Sequence, residues 1–276
     1  MAASDSESIR ASADADPLHM LRRARGGGLF DSLVRIYDEF PDTTCENCAR
    51  CCFESPGIFF VEYLYLLDLL AGLSAARREE LLRRALRELL FSWIEPDRSC
   101  VFLESSRCII YERRPLACRL FGLVPRGERD RAEAEARLAA RREAQRLGLF
   151  GVKVPEAVVR RSLVSCERVR DRRGRPVAVD GDAIAARVAK LDAAVLPRHV
   201  VVAEFCFRSL PERVGFAALG GEAVDAMRIQ LLRRAQAGET IEALVEVVWR
   251  ESRGAPVLGA SQRRGSTRGR RGTDKS

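Results

Sequence analysis

Cysteine carries the chemistry of this sequence. Seven of its nine cysteines fall into two groups, Cys45-x2-Cys48-x2-Cys51-Cys52 and Cys100-x7-Cys108-x9-Cys118. A ligand set made only of thiolates is soft, and it selects zinc or the iron of iron-sulfur clusters over magnesium or calcium. Seven thiolates are more than one tetrahedral ion needs. Adjacent side chains of an extended backbone point to opposite faces, so Cys51 and Cys52 are not expected to bind one ion in the same way, which favours two metals or one multinuclear cluster. Two familiar cluster patterns fail at the same place. A radical S-adenosylmethionine run C-x3-C-x2-C through Cys48 and Cys52 needs a cysteine where Ser55 stands. A ferredoxin run C-x2-C-x2-C-x3-C-P matches Cys45, Cys48, Cys51 and Pro56 but lacks its fourth thiolate, again at Ser55. The two histidines, His19 and His199, have no ligand neighbour in sequence and carry little weight as ligands. Cys166, in Ser-Cys-Glu-Arg, is a candidate eighth ligand, whereas Cys206 between Phe205 and Phe207 fits a buried small hydrophobe.

Polar residues gather around the second group. Pro115 suits a first helical position, which puts Cys118 in the first turn of a short helix, where free backbone N–H groups and the positive end of the dipole would stabilise a thiolate. Arg113, Arg114 and Arg119 surround the same point and could hydrogen-bond sulfur or balance its charge; in an arginine-rich chain they fit solvated surface residues equally well.

The elements that must position these groups are mostly helical. Leu33, Ile36, Tyr37 and Phe40 repeat at helical spacing over Asp31–Phe40, with Asp31 as cap and Pro41 as stop. The first cysteine group follows on an irregular Asp-Thr-Thr-Cys segment. Pro56-Gly57 then turns the chain into a helix, or a strand leading to a helix, over Ile58–Leu70. Ser74 opens a helix whose Leu81, Leu82, Ala85, Leu86, Leu89 and Leu90 form a core stripe before Pro96. Cys100-Val-Phe-Leu and Cys108-Ile-Ile-Tyr read as two short strands joined by a turn at 104–107, a hairpin that brings two cysteines together. Arg129–Leu147 predicts a solvated helix closed by Gly148, with nucleic-acid contact as the sharper but less favoured use. Asp182 is placed as a cap for Ile184, Val188, Leu191 and Val195. Gly238 ends a further helix, and Thr240 caps a last one with Ile241, Leu244, Val245 and Val248. His199-Val-Val-Val fits a strand or a buried helix.

Composition bounds the context. Met1–Asp16 has one arginine against four acids, no basic stretch and no apolar core, so no secretory signal is read there. A reducing cytoplasm is therefore expected, and disulfides with it are not, since the cysteine count is odd and the chain is long enough to need no staples. The longest apolar run, Ile58–Ala71, contains Glu62 and Asp68 and is too short to cross a bilayer, so no membrane partner is expected. The net charge of +8 is weighted to Ser252–Ser276, where seven basic residues face Asp274 alone. Only Lys153, Lys190 and Lys275 of the 47 basic residues are lysines, which points to a coding bias toward arginine rather than to phosphate contacts. Nucleic acid is accordingly an unlikely partner. The divisions expected are disordered residues 1–16, a cysteine-cluster domain over 17–125, a helical region over 126–251 and a disordered basic tail over 252–276. The fold class is mainly α, with a small irregular and β metal-binding knuckle wrapped by helices.

The stretch Cys45-Glu-Asn-Cys48-Ala-Arg-Cys51-Cys52, then Cys100-Val-Phe-Leu, then Cys108-Ile-Ile-Tyr111-Glu112-Arg-Arg114-Pro115-Leu-Ala-Cys118-Arg119-Leu-Phe121, resembles the bacterial CxxCxxCC cysteine-cluster family, also called the YkgJ family of zinc- or iron-chelating domains. The likeness spans roughly Asp31–Gly122. It implies metal binding by Cys45, Cys48, Cys51, Cys52, Cys100, Cys108 and Cys118, with zinc or iron as the metal, and it implies no single reaction; an all-thiolate set larger than one zinc site needs favours an iron-sulfur cluster, 4Fe-4S, over Zn2+. Tyr111, Glu112, Arg114 and Arg119 are the polar members of the shared stretch, fit for orienting ligands around the metal. One branch of the family, flagellin lysine-N-methylase, uses S-adenosylmethionine, which defines an enzymatic alternative with a protein substrate, beside a redox enzyme acting at the cluster. Gly26-Gly27-Gly28 has no strand before it and fits a flexible joint better than an adenosine-binding loop.

Overall fold

The computed structural model describes residues 17–252 except 46–48, 54, 96–98, 161–165, 167, 168, 176, 178, 197–207 and 220. Residues 1–16 and 253–276 of the segments expected to be disordered, the His199 strand, Cys48 and Cys206 lie outside the described residues, whereas Ser252, expected in the tail, ends a helix. The chain is mainly α. Its helices are α1 (Pro17–Gly26), α2 (Leu29–Asp38), α3 (Phe60–Ala71), α4 (Ala75–Phe91), α5 (Leu116–Leu120), α6 (Arg126–Leu149), α7 (Glu156–Val159), α8 (Gly181–Val195), α9 (Leu210–Leu219), α10 (Gly221–Gln236) and α11 (Ile241–Ser252). Four two-residue strands complete the regular structure: β1 (Gly57–Ile58) pairs antiparallel with β4 (Arg208–Ser209), and β2 (Leu103–Glu104) with β3 (Arg107–Cys108).

Helix α3 is the centre. Phe60, Val61, Tyr63, Leu64, Leu66, Leu67 and Leu70 are all buried, so apolar surface wraps most of its circumference and other helices must cover it. One core packs α3 against α1, α4, the 100–110 hairpin and Val214 of α9. A second joins Phe59 and Val61 to Leu33, Ile36 and Tyr37 of α2, Leu116 of α5 and Val188 of α8. The third sits at the far end of α4, where Leu90 and Phe91 meet Leu147, Leu232, Leu244 and Val248. Residues from both sides of position 125 share all three.

Buried charge starts the central helix. The N–H groups of Phe60 and Val61 donate to the Asp192 carboxylate of α8 at 2.9 and 2.6 Å, and that of Phe59 donates to Glu62 at 2.8 Å. A helix start buried without water must find such acceptors.

Element ends differ from the sequence expectation in instructive places. Helix α1 was not anticipated, because Met20, Leu21 and Ala24 are its only buried apolar residues in an arginine-rich segment. Helix α2 begins at Leu29, two residues before Asp31, with Gly28 in the left-handed region at φ 64°. Ser74 caps α4 as expected, accepting from Arg77 N at 3.3 Å. Gly148 lies inside α6 instead of closing it, and the helix ends at Leu149 with Phe150 as its C-cap. Asp180, not Asp182, caps α8, accepting from Ala183 N at 2.9 Å. Gly238 ends α10 at φ 106°, a conformation that suits glycine. Thr240 caps α11 through its hydroxyl. Ser252 ends that helix and is buried.

Candidate metal centre

The first cysteine group is bent by local geometry. Thr43 bridges to Asp171, Thr44 N donates to Arg170 O at 2.9 Å, and the chain then reaches Cys45. Ala49 takes φ 60°, a left-handed conformation that costs a non-glycine residue about 1–2 kcal/mol, and the chain coils into a 3-10 turn over Arg50–Phe53. Cys52 N closes it on Ala49 O at 2.9 Å. The expectation that Cys51 and Cys52 face opposite ways rested on extended backbone. In this turn both line one cavity and their thiols hydrogen-bond each other.

The second group comes from the hairpin and α5. Ser105 and Ser106 both have positive φ, 45° and 61°, which makes the tight turn between β2 and β3. The strands are shorter than expected, and Leu103, not Cys100, pairs with Cys108. Cys100 precedes the hairpin and ties the two groups together, its N–H donating to Cys52 O at 2.6 Å. Arg84 of α4 holds the hairpin from behind, donating to Leu103 O at 2.8 Å and to Glu104 at 2.9 Å. Pro115 is the residue before α5, and Cys118 sits in the first turn, its N–H on Pro115 O at 3.0 Å.

These elements enclose a cavity of about 60 Å³ whose wall includes Cys45, Cys51, Cys52, Cys108, Cys118 and Cys166. At roughly 10–15 Å³ per water it has room for several water-sized groups. Cys100 is not on that wall and packs instead against the first core. Cys48 lies outside the described residues. Among the described residues, no three His, Cys, Asp or Glu side chains are arranged to hold one ion without movement. The described cysteines are free thiols.

Electrostatics divides the thiols. Cys52 is the shared donor: its bonds to Cys108 and then Cys51, with burial, push its own pKa up. Accepting from Cys52 pulls Cys51 down to about 6, and the same partner pulls Cys108 down to about 7, each helped by Arg114. One S–H proton serves one acceptor at a time, so Cys51 and Cys108 compete for it. Burial pushes Cys100 up to about 11. Cys118 was expected to be a stabilised thiolate at a helix start. Desolvation, and then the neighbouring thiols of Cys100, Cys51 and Cys108, push it well above the usual thiol range instead, because a five-residue helix has little dipole to set against them.

The polar frame is similarly sorted. Arg114 and Arg119 line the cavity, and Arg113 does not; it pairs with Asp68 at 3.0 Å and stacks on Tyr65 at 4.6 Å. Arg119 stacks on Tyr37 at 4.1 Å while its Nε and Nη2 donate to the carbonyls of Arg114 and Glu112 at 2.9 and 2.6 Å. Arg114 stacks on Tyr111 at 4.1 Å, and its buried Nε has no hydrogen-bond acceptor. Tyr111 lines the cavity, its pKa raised by burial and then by its bond to Cys45. Glu112 is exposed and off the cavity wall; what it contributes is its backbone carbonyl.

Glu62 was not singled out from the sequence as part of the site. Its fully buried carboxylate accepts from Tyr37 Oη, from Leu116 N at 2.5 Å and from Phe59 N at 2.8 Å, so one side chain joins α2, α3 and the start of the helix that carries Cys118. Burial raises its pKa against the pull of those donors. A charged residue inside an apolar run is the sequence signal that could have marked it.

Residues 44–137 match the family model CxxCxxCC, described as "Putative zinc- or iron-chelating domain". Over these residues the chain is similar to a CxxCxxCC domain. The matched residues hold both cysteine groups, the hairpin, α5 and the first half of α6, about a third of the chain. No curated protein and no solved structure matches the chain. No described helix is long and apolar enough to cross a membrane.

Proposed function

We propose that the thiol-lined cavity is the metal centre of this CxxCxxCC domain and that it takes an iron-sulfur cluster, 4Fe-4S, in preference to zinc. The observation that carries this reading is the composition of the wall: six cysteines, two guanidinium groups, and no imidazole or carboxylate among the described residues. Zinc sites built for hydrolysis use histidine or carboxylate ligands with an open position, and a structural zinc needs only four thiolates. The donor set fits a cluster in type, and it exceeds in number the four thiolates that one cluster takes. Four thiolates drawn from the wall cysteines and Cys48 would hold it, with the others close by, while Cys100 braces the loop through its backbone N–H on Cys52 O. An iron-sulfur cluster would supply one-electron transfer or a structural clamp.

The chain's own residues prepare the place. Arg114 and Arg119 offset negative charge on the sulfurs, and the free Nε of Arg114 is a donor in search of an acceptor such as sulfur. Loading requires the Cys52 proton to leave and the thiols to turn from one another toward the cavity centre. The methylase alternative gains nothing from Gly26–Gly28, which connects α1 to α2 rather than a strand to a helix.

Anaerobic purification followed by iron, sulfide and zinc analysis and a visible absorption spectrum tests the reading. Iron and sulfide in equal amounts, with a broad charge-transfer band, are expected. A colourless protein with stoichiometric zinc would replace the cluster with zinc, and a metal-free protein competent in none of these would end the proposal.

A further inference from the structure

We infer that Cys166, contributed from outside the matched residues 44–137, is a ligand of this metal centre, in a strap whose described residues, Cys166 and Val169–Asp171, make contacts beside both cysteine groups. The inference rests on the metal-centre reading above and adds a residue and a segment to it.

The strap is anchored at each side of the cavity. On the side of the first group, Arg170 and Asp171 pair with Thr43 and Thr44: Thr44 N donates to Arg170 O at 2.9 Å, Arg170 N donates back to Thr44 Oγ1 at 3.2 Å, and Thr43 bridges to Asp171. That pairing ends one residue before Cys45. On the side of the second group the strap presses on Gly122, four residues after Cys118. A Cβ at that glycine would stand 2.7 Å from Val169 Cγ2 and 3.0 Å from Cys166 O, so the close approach is open only to glycine, which also takes φ 84° there. Val169 is buried and lines the cavity beside Cys166. Beyond it the chain closes on itself, since Asp171 accepts from Arg173 N and Arg175 N at 2.8 and 2.9 Å.

The backbone of Cys166 thus stands against Gly122 beside the second group, and Cys166 shares a wall with five other thiols. It is only half-buried, which fits a cavity-facing ligand better than a small core hydrophobe. Cys100 offers the contrast. It lies inside the matched domain yet off the wall, so membership of the motif and presence at the cavity do not coincide.

The test uses the full chain purified without oxygen, with two variants and one labelling measurement. Cys166→Ser is expected to lose at least half of the bound metal or to shift the visible and electron paramagnetic spectra, with the circular dichroism of the helices unchanged. Gly122→Ala, which keeps every thiol but displaces the strap, is expected to change metal content in the same direction. Independently, iodoacetamide should label Cys166 at least tenfold more slowly in the wild-type holoprotein than after chelation, a result that stands even if either variant folds poorly. Wild-type metal content and spectra in Cys166→Ser, or equal labelling of Cys166 before and after chelation, would overturn the inference while leaving the metal centre intact. A wild-type protein that binds no metal would overturn the metal-centre reading itself, and this inference with it.

Discussion

The cavity side of the molecule and the helical core behind it are built by different physics. At the far end of α4, Leu90, Phe91, Leu147, Leu232, Leu244 and Val248 interdigitate, and the charges stay at the rim, where Arg146 and Arg228 pair with Glu143 and Asp225 at 2.7–2.9 Å. On the cavity side, charge goes inside. Glu62 and Asp192 are buried, and each satisfies backbone N–H groups at helix starts that no water reaches. Apolar burial is non-directional and suffices to hold helices together. Thiols must be aimed, and hydrogen bonds to buried carboxylates supply direction at the cost of desolvating charge.

If this division is right, removing the metal should separate the two regions most sharply. Chelation is expected to raise amide exchange over residues 100–123 by at least about tenfold while α10 and α11 keep their protection. Uniform loosening, or none, would break the comparison.

Next in size is Leu244→Ala, which empties part of the fully buried far core and should cost about 2–5 kcal/mol in denaturant unfolding with metal content per folded molecule retained. Glu62→Gln should show the opposite balance. It leaves an amide N–H₂ facing donors, costing about 1–3 kcal/mol, and it frees the start of α5, so bound metal should fall as well. The same variant sharpens the electrostatic half of the comparison. Burial raises the Glu62 pKa, so the folded state holds that proton more tightly than the unfolded chain does. The wild-type protein should lose stability as pH rises above the ordinary glutamate range near about 4.3, until the folded-state pKa is passed, and Glu62→Gln should lack that slope. Unfolding curves at several pH values check both. The smallest effect is expected at the rim: Asp225→Ala removes two half-exposed ion pairs and should change stability by under about 1 kcal/mol, with no change in metal.

Legibility in the sequence follows the same line. The far core announces itself by periodicity: Leu244, Val245 and Val248 repeat at helical spacing after Thr240, and the structure buries all three. The α4 stripe, the strand leading into α3 and the turn at Gly238 are legible for the same reason, since each depends on residues close in sequence. The candidate site is legible in its residue types but not in its placement. Nothing local says that Ala49 turns left-handed, which puts Cys51 and Cys52 on one wall. Nor does Cys100, identical in type to its neighbours, reveal that it packs into a core. Asp192 acts across 131 residues of sequence on Val61, and Glu62 across 54 on Leu116, distances at which spacing carries no signal. Arg113, Arg114 and Arg119 look alike as a cluster, and only the positions of Asp68 and Tyr65 draw the first away from the cavity.

X-ray absorption at the iron and zinc edges of the anaerobically purified full chain measures the claim on which the rest depends, because it reports which atoms surround the metal without reference to any activity. The thiol-lined cavity predicts a shell of sulfur scatterers alone, with iron neighbours to iron. A shell dominated by nitrogen or oxygen would contradict it.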